Sequence, residues 1–330
     1  MATIQGVVGN KKLRKLACLI ALFGIFYGEL QLWSNGAKKQ PRFFNEKWYN
    51  TTPISESLKN DQDHIWLLET SYRRRLYARE ACSIESACRH NADYTVHLLS
   101  TGNISSSDCP YHRLLSKLPN FRSAWLNASK ELAGTPLAPL HAKGGALNRS
   151  LHKVVHLSDF LRYVVLWKRG GVYLDTDVIV MKSLRGIRNS IVFENKYGNV
   201  ANGILFFDKQ HPALGALIDQ CALAYNPVIR VTCGPLLTSL LASDAVFSRR
   251  VNFLHPSTFF AVSYTSWKAL YDPSKVQEVL RAITISHGVH VWNKAGEEKQ
   301  VVAGSGCAVD VLARAHCPEV YKLASSERYF

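Results

Sequence analysis

Ser158-Asp159-Phe160-Leu161-Arg162-Tyr163-Val164-Val165-Leu166-Trp167-Lys168-Arg169-Gly170-Gly171-Val172-Tyr173-Leu174-Asp175-Thr176-Asp177-Val178-Ile179-Val180 reads as a helix, a stop and a buried strand. Ser158 is a natural N-cap, and the residues after it keep a helical pattern through Lys168. Gly170 supplies the left-handed residue that closes a helix, and Gly171 leads straight into the apolar run 172–180. Asp175 and Asp177 stand two apart in that run, so on a continuous strand both carboxylates face one side. Because Val178-Ile179-Val180 is β-branched, the strand is expected to continue through the pair without a turn. Two carboxylates facing one way from a buried strand repel each other and are costly to desolvate. A divalent cation removes that cost with opposite charge and oxygen coordination. Asp159 and Arg162, three apart on one face of the helix, set an acceptor and a fixed cation side by side over a ligand.

Outward from this stretch the pattern alternates. Upstream come a buried-strand run at 65–68, a helical stretch at 72–89, a strand at 94–99 and helical segments at 111–118 and 123–132. Pro136, Pro139 and Gly144-Gly145 then mark an irregular connection. Downstream come a strand at 203–207, helices at 212–224 and 235–242, a last strand at 284–292 and a terminal helix at 307–315. Alternating strands and helices imply an α/β sheet with helices on both faces, and no Pro/Gly/Ser linker divides residues 61–330. Neither a G-x-x-x-x-G-K-[ST] loop nor a G-x-G-x-x-G after a strand is present, so a bound nucleotide would have its phosphates held through a metal. An aspartyl-nucleophile phosphatase would carry its D-x-D near the start of the domain and an acidic pair downstream. This chain has no Asp-Asp.

The chain has 330 residues, 47% apolar and 20% charged, which excludes a disordered chain, a collagen and a small disulfide scaffold. A single long apolar run excludes a polytopic membrane protein. Forty cations against 25 acids give +15, an excess suited to an anionic ligand or membrane face. No basic stripe with interleaved aromatics supports nucleic acid as a partner. Lys11, Lys12, Arg14 and Lys15 precede the uncharged residues 16–28, and the run reaches Trp33 if Glu29 sits near the interface. We read residues 1–12 as a cytosolic tail, 13–33 as a single transmembrane signal anchor, 34–60 as a polar stem and 61–330 as a lumenal domain. A cleaved signal peptide is the competing reading, with Ser34-Asn35-Gly36 as its nearest cleavage site. The sequons at Asn50, Asn103, Asn127 and Asn148 all follow the run and are candidate N-glycosylation sites. Of eight cysteines, seven (Cys82, Cys88, Cys109, Cys221, Cys233, Cys307 and Cys317) would meet an oxidising lumen, leaving at least one unpaired or bridging chains. None has zinc spacing.

The L-S-D-x-x-R-x-x-x-L-W-K-x-G-G-x-Y-L-D-T-D run resembles the α-1,4-glycosyltransferase group of glycosyltransferase family 32. Leu67-Leu68-Glu69-Thr70-Ser71 and Cys82-Ser83-Ile84-Glu85-Ser86-Ala87 resemble its early blocks. Asn202-Gly203, Gly234-Pro235-Leu236-Leu237-Thr238 and His290-Val291-Trp292-Asn293-Lys294 resemble its later ones, in the same order. The resemblance covers residues 62–320. It implies a GT-A type nucleotide-sugar-binding domain, a UDP-sugar donor, manganese or another divalent cation, and retaining transfer in the Golgi lumen by a single-pass type II membrane protein. By that resemblance Asp175 and Asp177 bind metal and ribose, with Asp177 the direct ligand and His290 a third. Asp159 and Arg162 contact the donor sugar as the catalytic pair, and Tyr173, Asp175, Asn202, Gly203, Gly234 and Pro235 bind the donor.

The implied reaction moves a hexose, UDP-galactose being the first choice of donor, in α-1,4 linkage to a terminal galactose of a glycolipid such as lactosylceramide. GalNAc or GlcNAc transfer to glycolipid or glycoprotein glycans is the alternative. One block departs from the group, whose Gly-Pro is preceded roughly as W-G-x-Q-G-P. Here Arg230-Val231-Thr232-Cys233 stands before it, so Val231 lacks the conformations of glycine and Cys233 lacks an amide. That departure motivates a third reading, a catalytically weak lumenal carbohydrate-binding homologue. The sequence leaves the oligomeric state open.

Overall fold

A computed structural model describes residues 63–296, 301–326 and 328–330. The strands are β1 (His64–Glu69), β2 (Thr95–Ser100), β3 (Phe121–Trp125), β4 (Gly171–Leu174), β5 (Val178–Val180), β6 (Ser190–Phe193), β7 (Val200–Phe207), β8 (Asn252–Leu254) and β9 (Gly288–His290). The longer helices are α1 (Ala78–His90), α2 (Lys153–Arg169), α3 (Pro212–Ala224), α4 (Pro235–Ala242), α5 (Ala308–His316) and α6 (Pro318–Ser325). Seven strands form one mixed sheet in the order β3-β2-β1-β4-β7-β6-β8, and β5 and β9 form a second, two-stranded sheet. The β3-β2-β1-β4 half is parallel; β7 runs antiparallel to both β4 and β6. The expected α/β class is what the chain adopts.

The Ile-Trp-Leu-Leu run of β1 is apolar throughout because both faces of this strand are covered. Ile65 and Leu67 join a core with Ala81 and Ile84 of α1, while Trp66 on the other face donates its indole N–H to the Gly170 carbonyl at the end of α2 (2.8 Å). Gly170 (φ 71°) closes α2, and Gly171 (φ 104°) starts β4 where a Cβ would lie 2.4 Å from the His64 carbonyl oxygen. The stop and turn into β4 therefore need both glycines.

Several expected elements differ from the observed ones. Helix α2 begins five residues before Ser158, because His156 hides an apolar stripe: it is buried, meeting the Tyr225 hydroxyl at 2.8 Å and the carbonyls of Ile229 and Arg230. Ser158 is thus a helix-interior residue and not the N-cap. The expected strand through 172–180 breaks at the aspartates: the Val178 N–H donates to the Asp175 carbonyl (3.2 Å), forming a turn. The β-branched triplet does form a strand, but in the second sheet against β9, with Val178 opposite His290.

The segment 123–132 divides into β3 and a short helix, Ala128–Leu132, and the last strand shrinks to β9. Helix α1 starts at Ala78, and α6 follows α5 beyond the expected terminal helix. Strands β6 and β8 were not legible in the sequence. Cys82 pairs with Cys317, tying α1 to the start of α6, and Cys221 pairs with Cys233; Cys88, Cys109 and Cys307 are free and buried. No helix among the described residues is long and apolar enough to cross a membrane, and the 13–33 run lies outside them.

Candidate active site

The turn between β4 and β5 is anchored from three sides. Asp175 N–H donates to the Gly203 carbonyl on β7 (2.8 Å), Ser83 of α1 accepts from Val178 N–H (3.1 Å), and Val291 N–H donates to the Asp177 carbonyl (2.8 Å). These bonds aim both aspartates at His290, the last residue of β9. His290 Nε2 lies 3.2 Å from Asp177 Oδ1 and 3.7 Å from Asp175 Oδ2. One ligand atom from each of the three residues falls within 4.8 Å of the others. Two carboxylates and an imidazole form a donor set suited to a divalent cation.

The Asp177 carboxylate also accepts from the Asn293 N–H (2.9 Å). The His290 ring lies against Trp292, centroids 4.1 Å apart, and Trp292 itself adopts φ 56°. For a bulky residue that backbone is strained, and here it sits two residues from a candidate ligand.

Electrostatics follow from crowding these charges. Burial pushes the Asp177 carboxyl up, against the pull of His290 and with repulsion from Asp175. Burial acts on Asp175 in the same direction, yet the Arg162 guanidinium, His290 and the Tyr173 hydroxyl hold it below the usual carboxylate range. Burial works against the His290 imidazolium, but Asp177 and Asp175 raise it. A bound cation would supply positive charge between the two carboxylates and relieve their repulsion.

Beside this triad lies a second buried network. Arg162, 5% exposed, donates to the Ser158 carbonyl (3.2 Å), the Ser158 hydroxyl (2.8 Å) and the Asn202 carbonyl (2.8 Å). It pairs with Asp175 at 3.1 Å and Asp159 at 3.3 Å, and stacks over the Tyr173 ring at 4.7 Å. Every guanidinium nitrogen is thus engaged within the protein, so Arg162 holds the Asp175 and Asp159 carboxylates in register. Tyr173 donates its hydroxyl to Asp175 (2.6 Å). Asp159 accepts from the Asn202 amide (2.8 Å) while its other oxygen, buried, has no protein partner. Burial raises the Asp159 carboxyl to about 6, opposed by Arg162 and the Asn202 hydrogen bond.

Two glycines keep space open. A Cβ on Gly203 would lie 2.4 Å from Asp175 Oδ2, and one on Gly234 would lie 3.0 Å from the unpartnered Asp159 oxygen. We expect Gly203→Ala to displace the carboxylate that Arg162 and Tyr173 otherwise fix. The divalent-ion concentration for half-maximal turnover should rise about 10–100-fold, the scale of losing a ligand's support. An unchanged metal titration curve would show that Asp175 has room to move.

The structure therefore gathers Asp159, Arg162, Tyr173, Asp175, Asp177, Asn202, Gly203, Gly234 and His290 in one place, and Pro235 sets the first turn of α4 beside them. Residues given no site role in the sequence reading also take part. Ser158 receives Arg162, and Tyr163 donates its hydroxyl to the Cys233 carbonyl (2.7 Å) and accepts from Asn202 (3.2 Å). Ser158 was detectable as the residue one helical turn before Arg162; nothing in the pattern marks Tyr163. Cys233 lies in a disulfide and Val231 is exposed, and Gly234 still faces Asp159. Asn103, Asn127 and Asn148 are exposed, and Asn50 is outside the described residues.

Residues 77–197 match the family of glycosyltransferase sugar-binding regions containing the DXD motif, and residues 206–324 match the α-1,4-glycosyltransferase conserved region. The chain is 30% identical over 288 residues to human alpha-1,4-N-acetylglucosaminyltransferase, covering 81% of this chain and 82% of the relative. It is 31% identical over 287 residues to human lactosylceramide 4-alpha-galactosyltransferase, covering 82% and 80%. Among solved structures, the galactosyltransferase LgtC in complex with donor and acceptor sugar analogs aligns with TM-score 0.43 at 16% identity, over 79% of this chain and 95% of that one. The PaToxG glycosyltransferase aligns with TM-score 0.43 at 18% identity, over 72% and 84%.

Proposed function

The chain belongs to the α-1,4-glycosyltransferase family and is a hexosyltransferase, and we propose that it transfers galactose from UDP-galactose in α-1,4 linkage to a terminal galactose of a glycolipid such as lactosylceramide. Retention of configuration, a Golgi location and attachment through residues 13–33 belong to the same proposal. The observation that carries it is the convergence of Asp175, Asp177 and His290 beside the buried Arg162–Asp159–Asn202 network.

Asp175, Asp177 and His290 would hold a manganese-like ion. When bound, that ion supplies positive charge to the diphosphate that leaves as an anion. Arg162 keeps Asp175 ionised and aimed, and Tyr173 fixes its rotamer. Asp159 presents its free oxygen as an acceptor for a sugar hydroxyl, and Asn202 fixes the other oxygen of the same carboxylate. Gly203 and Gly234, having no side chains, leave the Asp175 and Asp159 carboxylates the room they occupy in the site. These groups need no reorganisation as charge develops, which is the condition for electrostatic catalysis.

GalNAc or GlcNAc donation is the second reading, favoured by the equal similarity to the N-acetylglucosaminyltransferase. The intact carboxylate–arginine network argues against a weakened homologue, since Val231 points to solvent and Cys233 is used structurally. A panel of UDP-galactose, UDP-GalNAc and UDP-GlcNAc, assayed for hydrolysis and for transfer to lactose with manganese and then with EDTA, tests the proposal. We expect turnover with UDP-galactose that EDTA abolishes and manganese restores. Preference for an N-acetylated donor would move the chain to the second reading. Turnover indifferent to EDTA would refute the role of the triad.

A further inference from the structure

We propose that the loop 225–232, with the last turn of α3 and the segment 148–154 that leads into α2, forms an apolar, basic collar that lies against a phospholipid surface, so that the acceptor is taken from the membrane. The proposal rests on the glycolipid reading above. Four hydrogen-bond contacts hold the two segments together: Ser150 Oγ to the Pro227 carbonyl (3.0 Å), His156 Nδ1 with the Tyr225 hydroxyl (2.8 Å), and His156 Nε2 with the carbonyls of Ile229 (3.1 Å) and Arg230 (3.2 Å). The Cys221–Cys233 disulfide closes the loop at its base.

Aliphatic side chains on these segments stand in solvent: Leu151 is 79% exposed and Val228 65%, with Val154 and Val231 also exposed. Leu223, at the root of the loop, is exposed as well. Exposed aliphatic side chains on segments bonded to one another offer an interaction face. Val231, which breaks the family's usual glycine, thereby gains a use as part of that face.

Charge complementarity selects the occupant. Lys143, Arg149 and Lys153 lie along 133–158, and Arg230, which also attracts the buried Asp159, lies on the loop; no Asp or Glu occurs in 133–158 or 220–243. Aliphatic side chains flanked by cations, with no acid among them, match acyl chains beneath phosphate headgroups. The collar runs directly into Gly234, which faces Asp159, so a sugar standing on the membrane would meet the site at this edge. One sequon falls within the collar. The Asn148 side-chain amide donates to the Ala142 carbonyl (2.7 Å), so this asparagine serves the loop and we expect it to carry no glycan.

The test places the full chain in nanodiscs of phosphatidylcholine, with and without phosphatidylserine, containing a phospholipid with a photoactivatable acyl chain. We expect lipid adducts on peptides containing Leu151 and Val228, increased by phosphatidylserine. Adducts confined to residues 13–33, or a glycan on Asn148, would each overturn the proposal. The Leu151→Asp/Val228→Asp variant supplies a second readout. Transfer to a lactosyl lipid in the nanodisc should fall about tenfold or more, the scale of one buried aliphatic side chain. Transfer to free lactose should hold. An equal fall on both acceptors, or none, also overturns it. If wild-type protein transfers to neither acceptor, the acceptor reading fails, and the adducts still decide the membrane contact.

Discussion

Asp177→Asn should abolish metal-dependent transfer while leaving the metal-free protein at least as stable as the wild type. Asp177 lies 3.2 Å from His290 Nε2, and its ionised form is disfavoured by burial and by Asp175. Removing its charge relieves that repulsion, so the melting temperature without metal should hold or rise, as at many functional sites that trade stability for activity. Metal affinity should fall by more than the ~10–100-fold that follows loss of an outer-shell partner. Turnover should drop on the order of 10²–10³-fold or beyond, the scale of losing one electrostatic contact to the transition state. Thermal shift with and without manganese, together with transfer rate, separates the two effects. A wild-type manganese-induced shift in the variant would remove Asp177 from the ligand set.

Arg162→Lys should lower transfer about 100-fold, the cost of a misplaced reacting group, and should also weaken metal binding. Lysine keeps the charge but not the planar fork that reaches Asp175, Asp159, Asn202 and Ser158 together. Leaving buried acceptors without donors costs about 1–3 kcal/mol each, so the melting temperature should fall too. The readout that distinguishes positioning from mere folding is the manganese titration below the melting transition. With Asp175 released, the half-saturating metal concentration should rise. A variant with normal metal affinity but slow transfer would show that Arg162 reaches the donor sugar directly.

The D-x-D stretch, the preceding helix and the two glycines between them were legible because each follows from a local rule. Helical spacing sets the run to Lys168, one residue short of the observed end, a left-handed residue closes it, and an apolar segment after Gly171 forms a strand. His290 was legible only through resemblance, since no local pattern links residues 177 and 290. The continuous strand through Asp175 and Asp177 did not form, although β-branched residues follow the pair. The Asp175 N–H and the Val178 N–H found partners in Gly203 and Ser83, from β7 and α1, and these distant bonds outweighed local strand preference. Ser158 was misplaced for a related reason: the stripe of α2 runs back through His156, whose polarity disguises a buried position satisfied by a loop more than 70 residues away.

By itself, then, the sequence determined the alternating α/β order, the pairing of two carboxylates and the presence of Arg162 and Asp159 on one helical face, because these depend on neighbours within a few residues. Only the tertiary structure decided that Asp177 and His290 meet, that Arg162 spends every nitrogen inside the protein, and that Gly203 yields its side-chain space to Asp175. Those outcomes depend on where β7, β9 and α2 come to rest against one another. The packing of a buried charge against its partners, unlike a helix period, is set by contacts between residues far apart in the chain.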